Sequence, residues 1–312
     1  MANGNFTRVT EFILIGVSER LDLQIPLFFV FLVIYGLTVT GNLSIITLTS
    51  VDSRLQTPMY FFLRHLAIIN LGNSTVIAPK MLINFLVKKH TTSFYECAIQ
   101  LGGFLVFIVA EIFVLAVMAY DRYVAICNPL LYMAVVSRRI CLLLVSLTYL
   151  YSFSTSIVTS FSVFSMAYCS FNVINHFYCD IVPLLALSCS NTSFPETVVF
   201  ISASTNLMFS ITVVVASYFN IIVSILRIQG RKRAFSTCTS HVTAVSVFYG
   251  TPFFMYLQPQ TNHSMGADKM ASVFYTLVIP MLNPMIYSLR NKDVKAALKR
   301  FLTNSCCSFK LM

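Results

Sequence analysis

Seven apolar stretches divide the chain, at about 26–49, 58–79, 98–120, 140–162, 197–226, 239–259 and 272–289. Each is long enough, or nearly so, to cross about 30 Å of hydrocarbon as a helix, which takes roughly 20 residues. Such runs leave few choices. In lipid every backbone N–H and C=O must be satisfied within the protein, and a single apolar segment achieves this only as a helix. The composition agrees, with 57% hydrophobic and 10% charged residues against about 25% charged in soluble domains. The expected fold is an all-α membrane protein, a bundle of seven spans over residues 26–289. The opening, MANGNFTRVTEFILIGVSER, is polar and mixed. It lacks a signal-peptide pattern, and the run after it is too long for a signal h-region.

Charge sets the sidedness. The loops on the C-terminal side hold Arg54, Arg138, Arg139, Arg227, Arg231, Lys232 and Arg233, and the tail adds Arg290, Lys292, Lys295, Lys299, Arg300 and Lys310. The opposite side holds Arg8, Arg20, Lys80, Lys88, Lys89 and Lys269. The positive-inside rule therefore puts the C-terminal tail, 290–312, in the cytoplasm and the N-terminal tail, 1–25, outside a plasma-membrane protein. The same scatter of basic residues argues against nucleic acid as a partner of this +10 chain. Sequons at Asn5, Asn191 and Asn262 fall on the outer side, and Asn5 is the one expected to carry glycan. Cys97, Cys169, Cys179 and Cys189 also lie outside, where up to two disulfides are expected and spacing alone allows three pairings. Cys127, Cys141 and Cys238 read as reduced packing residues. The tail thiols Cys306 and Cys307 are either palmitoylated or unmodified.

The stretch MAYDRYVAIC, 118–127, closes the third span. Helical spacing lines up Phe104, Ile108, Glu111, Leu115, Met118 and Arg122 on one stripe. Glu111 lies about 16 Å above Arg122, near mid-membrane, where a carboxyl group is costly unless it faces the bundle interior. The stripe, Arg122 included, must therefore face inward. A buried arginine at the inner mouth suits a switch, held by Asp121 in one state and released to a partner in another. The plainer alternative is an interfacial ion pair that marks the membrane edge.

MAYDRYVAICNPL (118–130), TPMYFFL (57–63), PKML (79–82), RAFSTC (233–238) and PMLNPMIYSLRN (280–291) occur in this order. Together they resemble the odorant (olfactory) receptors, rhodopsin-like G-protein-coupled receptors, and the tetrapod class II group among them. The likeness covers about residues 11–300. It implies that Asp121, Arg122 and Tyr123 form the G-protein switch, with His241 in the activation machinery. Asn283, Pro284 and Tyr287 would be the inner hinge of the seventh span, with Tyr218 the usual partner of Tyr287. Cys97 would pair with Cys179, and Cys169 with Cys189. Residues from about Asp293 to Phe301 would form a short helix lying on membrane lipid, its apolar side Val294, Leu298, Phe301 and Leu302. The implied partners are a small-molecule odorant, a stimulatory olfactory-type heterotrimeric G protein raising cyclic AMP, and a trafficking chaperone. No cofactor is implied.

The chain departs from the family pattern in four places. It has no tryptophan, and FYG (248–250) occupies the deep part of the sixth span. Pro252 should kink that span. Asn70 replaces an aspartate in the second span, so a sodium site among Asn42, Asn70 and Glu111 would lose one formal charge, and sodium should couple only weakly. The alternative is that Asn42, Asn70 and Asn283 simply hydrogen-bond one another. The third inner loop is short, with IQGRKR between Arg227 and Ala234, and impaired coupling is the alternative functional reading.

Odorants are small and largely apolar, so their site should be an interhelical pocket with few polar groups. The third span offers Phe104, Leu105, Ile108 and Val109. The fifth offers Ser202 and Asn206, the sixth Tyr249, Phe253 and Tyr256, and the seventh Val273 and Thr276. Asp180–Val182 would lie over the mouth if Cys179 is tethered to Cys97. The outer half of the third span has no acid, which argues against amines. Transporters commonly show internal repeats, and the halves of this chain show none. A channel would want a ring of charges, and Glu111 stands nearly alone. The histidines at 65, 90, 176, 241 and 263 are dispersed without metal-ligand spacing, which speaks against an enzyme.

Overall fold

The structure is a computed structural model that describes residues 9–18, 20–87, 90–169, 172–227, 241–250, 265–290 and 292–309. Helix α1 runs Leu21–Val51, with Pro26 inside it. It starts more than a turn before the apolar run does, and Pro26 leaves the Asp22 carbonyl without its usual N–H donor. Helix α2 spans Pro58–Leu86, with Pro58 in its first turn. A proline there gives up an N–H that would have no partner anyway, which is the local reason for Thr57-Pro58. The helix continues through Pro79 to Leu86, beyond the expected end of the run, because Met81 and Leu82 remain buried.

Helix α3, Phe94–Cys127, opens on a reciprocal cap. Ser93 Oγ accepts from the Glu96 N–H at 3.2 Å, and Glu96 Oε2 accepts from the Ser93 N–H at 3.0 Å. One turn of α4 (Tyr132–Val135) leads to α5 (Arg138–Phe164), the fourth span. Short α6 (Ile181–Ala186) precedes α7 (Ser193–Arg227), the fifth. Residues 241–250, helix α8, belong to the sixth. The seventh is α9 (Met265–Val273), a π-turn (Phe274–Val278) and α10 (Ile279–Arg290). Within that turn the Ile279 N–H reaches back five residues to the Phe274 carbonyl. Pro280 has no N–H to give Thr276, so the ladder is already broken there. The tail forms α11, Lys292–Phe309, longer than expected. Val294 and Ala297 are buried, Leu298 is packed on the core, and Phe301 is exposed. Among the described residues six helices are long and apolar enough to cross a membrane.

Helix α3 is the hub, packed against α2, α5 and α7. One apolar cluster holds Leu115, Met118 and Tyr287 with the tail residues Val294 and Ala297, and a second holds Phe104 and Val273 with Phe12, Ile174, Tyr178 and Leu184. The tail before α1 is not merely polar. Strand β1, Glu11–Leu14, pairs antiparallel with β2 (Thr91–Ser93) and parallel with β3 (Val173–Ile174). Its alternation drives Phe12 and Leu14 inward, both fully buried, as period-2 geometry requires. Phe12 meets Tyr168 edge-on with ring centres 5.4 Å apart. Cys97–Cys179 and Cys169–Cys189 are both bonded, and Cys127 and Cys141 are free.

Candidate functional site

The polar groups that a lipid-facing bundle must hide are gathered in three layers along α3. At the mouth where α3 ends Asp121 is 1% and Arg122 8% exposed. The Arg122 guanidinium lies 3.6 Å from Asp121 Oδ2, and the Tyr132 hydroxyl donates to Asp121 Oδ1 at 2.8 Å. Burial and the neighbouring Asp121 carboxylate hold the Tyr132 phenol well above its ordinary range, so it stays a donor. Nothing in the sequence marks Tyr132 as a partner of Asp121. It lies eleven residues from Asp121, and only the turn at α4 brings it back. Tyr123 packs against Ile221 and Ile225 of α7. The Tyr218 hydroxyl is hydrogen-bonded to His241 Nδ1. Tyr287, to which Tyr218 was expected to answer, is 5% exposed, and its hydroxyl has no partner among the described residues.

The middle layer centres on Glu111, which is fully buried. Asn283 Nδ2 donates to Glu111 Oε1 at 3.2 Å and to Asn70 Oδ1 at 3.3 Å. Asn42 does not join that pair. Its Nδ2 donates to the Pro280 carbonyl at 3.1 Å and the Thr38 carbonyl at 2.8 Å. The Pro280 carbonyl needs such a donor because Pro284 lacks the N–H that would normally meet it. Helix α1 comes close enough because residue 41 is glycine, where a Cβ would stand 3.0 Å from Pro284 Cγ. Glu111 Oε2, Asn42 Oδ1 and Asn73 Oδ1 are buried and make no hydrogen bond among the described residues. Of these three groups only Glu111 can carry a formal charge.

In the outer layer Cys179, tethered to Cys97, donates its N–H to Gln100 Oε1 at 3.0 Å. Asp180 caps α6 through a 2.8 Å bond from the Ile181 N–H, and Val182 is 73% exposed. Tyr178 is what lies over Phe104, with ring centres 5.4 Å apart, and Tyr275 stands 6.1 Å from the same ring. The Tyr178 and Tyr275 hydroxyls are 3.1 Å apart. Ser272 Oγ is 2.8 Å from the Tyr275 hydroxyl and 3.2 Å from His176 Nε2. Burial, with the Lys269 ammonium adding to it, pushes the His176 imidazole down to about 3, so it is neutral at physiological pH. The sequence signal for this group is the run His176-Phe177-Tyr178 directly before the tethered Cys179.

The other candidate pocket residues are spread around this layer. Leu105 and Ile108 are partly buried, Val109 and Val273 buried. Asn206 is 3% exposed and accepts from the Tyr151 hydroxyl of α5 at 2.7 Å, while Ser202 on the same helix is half-buried. The Tyr249 and Ser210 hydroxyls are 2.7 Å apart. Thr276 donates to the Ser272 carbonyl at 2.6 Å. Asn5, Phe253, Tyr256, the Pro252 kink and the third inner loop lie outside the described residues.

A helical membrane bundle with an acid–arginine pair at one mouth, an asparagine–proline pair in its last span and a helix beyond it has the architecture of the rhodopsin-type receptors. The crystal structure of squid rhodopsin matches it with a TM-score of 0.73, over 92% of this chain and 88% of that one, and at 20% identity the likeness speaks for the fold. The olfactory receptor family profile matches residues 31–305, and the chain belongs to that family. It is 77% identical to human olfactory receptor 8J3 and 76% to human olfactory receptor 8J1, with both chains covered in full. It is 54% identical to mouse olfactory receptor 8U3, over 100% of this chain and 99% of that protein. These relatives are signalling receptors, not enzymes.

Proposed function

We propose that the chain is an odorant receptor for small, mostly neutral volatile molecules. They bind among α3, α7, α8 and the seventh span, and binding activates a stimulatory olfactory-type heterotrimeric G protein that raises cyclic AMP. Its N-terminus is extracellular and glycosylated at Asn5, its C-terminus cytoplasmic, and α11 rests on membrane lipid. A trafficking chaperone assists it to the plasma membrane.

The observation that carries this reading is the inner mouth. Arg122 is buried beside Asp121, and Asp121 is itself held by Tyr132. A buried cation whose counter-ion sits 3.6 Å away is a charge that a partner's acceptor groups can claim. The hinge supports the same reading, since Asn283 links the seventh span to Glu111 on the arginine's own helix. Around Phe104 the nearest polar groups are the Tyr178 and Tyr275 hydroxyls, backed by Ser272 and the neutral His176 imidazole, which suits neutral ligands.

The test is cyclic AMP in cells expressing the chain, a trafficking helper and the olfactory G protein, across a diverse odorant panel, with surface level read in parallel. A dose-dependent rise that Arg122→Ala abolishes at equal surface level is expected. A rise that survives Arg122→Ala refutes the switch. Silence that a lengthened third inner loop relieves would favour the impaired-coupling reading.

A further inference from the structure

Tyr178 and Tyr275 approach each other from two different kinds of support. Tyr178 sits beside Cys179, which is fixed covalently to α3 and by the bond to Gln100. Gln100 is braced in turn by donating to the Val76 carbonyl of α2 at 3.2 Å. Loop 174–176 is stitched to the N-terminal strap, for the Ile15 and Gly16 N–H groups donate to the Ile174 and His176 carbonyls at 3.0 and 3.1 Å. Tyr178 is thus mounted on a rigid frame. Tyr275 is mounted on the π-turn, where the regular ladder is interrupted. A π-turn converts to α-helix by shifting one residue, so this is the part of the seventh span that can move. Ser272 and His176 then return the chain of hydrogen bonds to the frame.

We infer that this hydroxyl pair is a latch over the ligand pocket, and that a neutral ligand bearing one oxygen, an alcohol, aldehyde or ketone, opens it by inserting that oxygen between the two tyrosines. The inference rests on the receptor reading above and names its ligand class. A carbonyl oxygen has two lone pairs and can accept from both phenols, and an alcohol can accept from one and donate to the other. The exchange replaces one hydrogen bond with two, so the fully buried Tyr178 hydroxyl is never stranded. A hydrocarbon of the same size breaks the latch and returns nothing. Making room for an oxygen moves Tyr275 by about 2 Å, given hydrogen bonds of roughly 2.8 Å. Asn283 lies eight residues beyond Tyr275 on the same span and holds Glu111, so the displacement runs towards the hinge. Phe104, beneath both rings, holds the apolar remainder.

The test uses the full chain in lipid nanodiscs and amide hydrogen exchange at residues 174–179 and 272–279. Tyr275→Phe keeps the ring and loses the hydroxyl. It should speed exchange in both segments about three- to tenfold, the value of one net hydrogen bond, with α2 and the inner half of α3 unchanged as evidence of folding. Ser272→Ala should do the same more weakly. At equal thermodynamic activity, at least one of 1-octanol, octanal and 2-octanone should alter exchange at 272–279 in the wild type and not in Tyr275→Phe, while octane has no effect. Unchanged exchange in Tyr275→Phe overturns the latch. No effect from any oxygenated probe, or an equal effect from octane, overturns the ligand class. If these shifts occur without a cyclic AMP response, the failure belongs to G-protein coupling and not to the latch.

Discussion

Gly72 on α2 faces the ring of Phe107 on α3 so closely that a Cβ there would lie 2.3 Å from Cζ, 2.4 Å from Cε1 and 2.8 Å from Cε2. Carbon atoms in contact prefer about 3.5–4.0 Å, so in Gly72→Ala the ring must move by about 1 Å or more. Phe107 is packed against the main apolar cluster, which resists that movement. Overpacking of this kind costs about 1–3 kcal/mol. Alanine in place of glycine gains about 1 kcal/mol of helix propensity. The clash should win, leaving Gly72→Ala destabilised by about 0–2 kcal/mol.

Two further variants separate the contributions. At Gly36 nothing lies within 4 Å of the added carbon, so Gly36→Ala should be neutral or stabilising. Phe107→Leu removes Cε1, Cε2 and Cζ, the atoms in the way, so in that background Gly72→Ala should become stabilising by about 1 kcal/mol. With no tryptophan in the chain, unfolding is best followed by a thiol-reactive dye reporting Cys141, which is 2% exposed. If Gly72→Ala unfolds at or above the temperature of Gly36→Ala, or keeps its sign in the Phe107→Leu background, the steric reasoning is wrong.

Tyr132→Phe removes the 2.8 Å bond that positions Asp121. It should raise basal cyclic AMP about two- to tenfold at matched surface level, the worth of one hydrogen bond on the resting state, and an unchanged basal signal contradicts the positioning role. His176 is held at about 3 against an ordinary 6.5, so the folded outer layer binds fewer protons than the unfolded one between those values. Its stability is therefore flat above pH 6.5 and falls about tenfold per pH unit below it. Exchange at 174–179, corrected for its intrinsic pH dependence, should be faster at pH 5.5 than at 7.5, and equal protection refutes the assignment. Sodium should change basal activity little. A large sodium effect that Glu111→Gln abolishes would show that one carboxylate suffices for the site.

Much of the receptor was legible without coordinates because the bilayer imposes its thickness one residue at a time. Six of the seven runs became long apolar helices among the described residues, Glu111 and Arg122 turned inward as their stripe required, and both disulfides implied by the family likeness are present. Helix ends were harder to read. A run of hydropathy stops at Pro26 or Pro79, whereas the helix stops where packing and caps do. Strand β1 is not legible in the sequence because four residues carry too short an alternation to stand out, and its partners are about 80 and 160 residues away.

What lipid demands of a segment is a property of that segment, so the apolar spans and the inward stripe of α3 follow from the sequence alone. Which polar groups meet inside the bundle depends on how each helix is rotated and how closely it approaches its neighbours. The tertiary structure decided that Tyr151 answers Asn206, that Asn42 serves the Pro280 carbonyl and that Tyr132 holds Asp121. It also set Tyr178 against Tyr275 across 97 residues. A helix turned by 100°, one residue's rotation, would place different side chains in each of those contacts. Where a span carries no buried charge like Glu111 to mark its inward face, hydropathy leaves that rotation open, and close packing at glycines such as Gly41 and Gly72 helps select it.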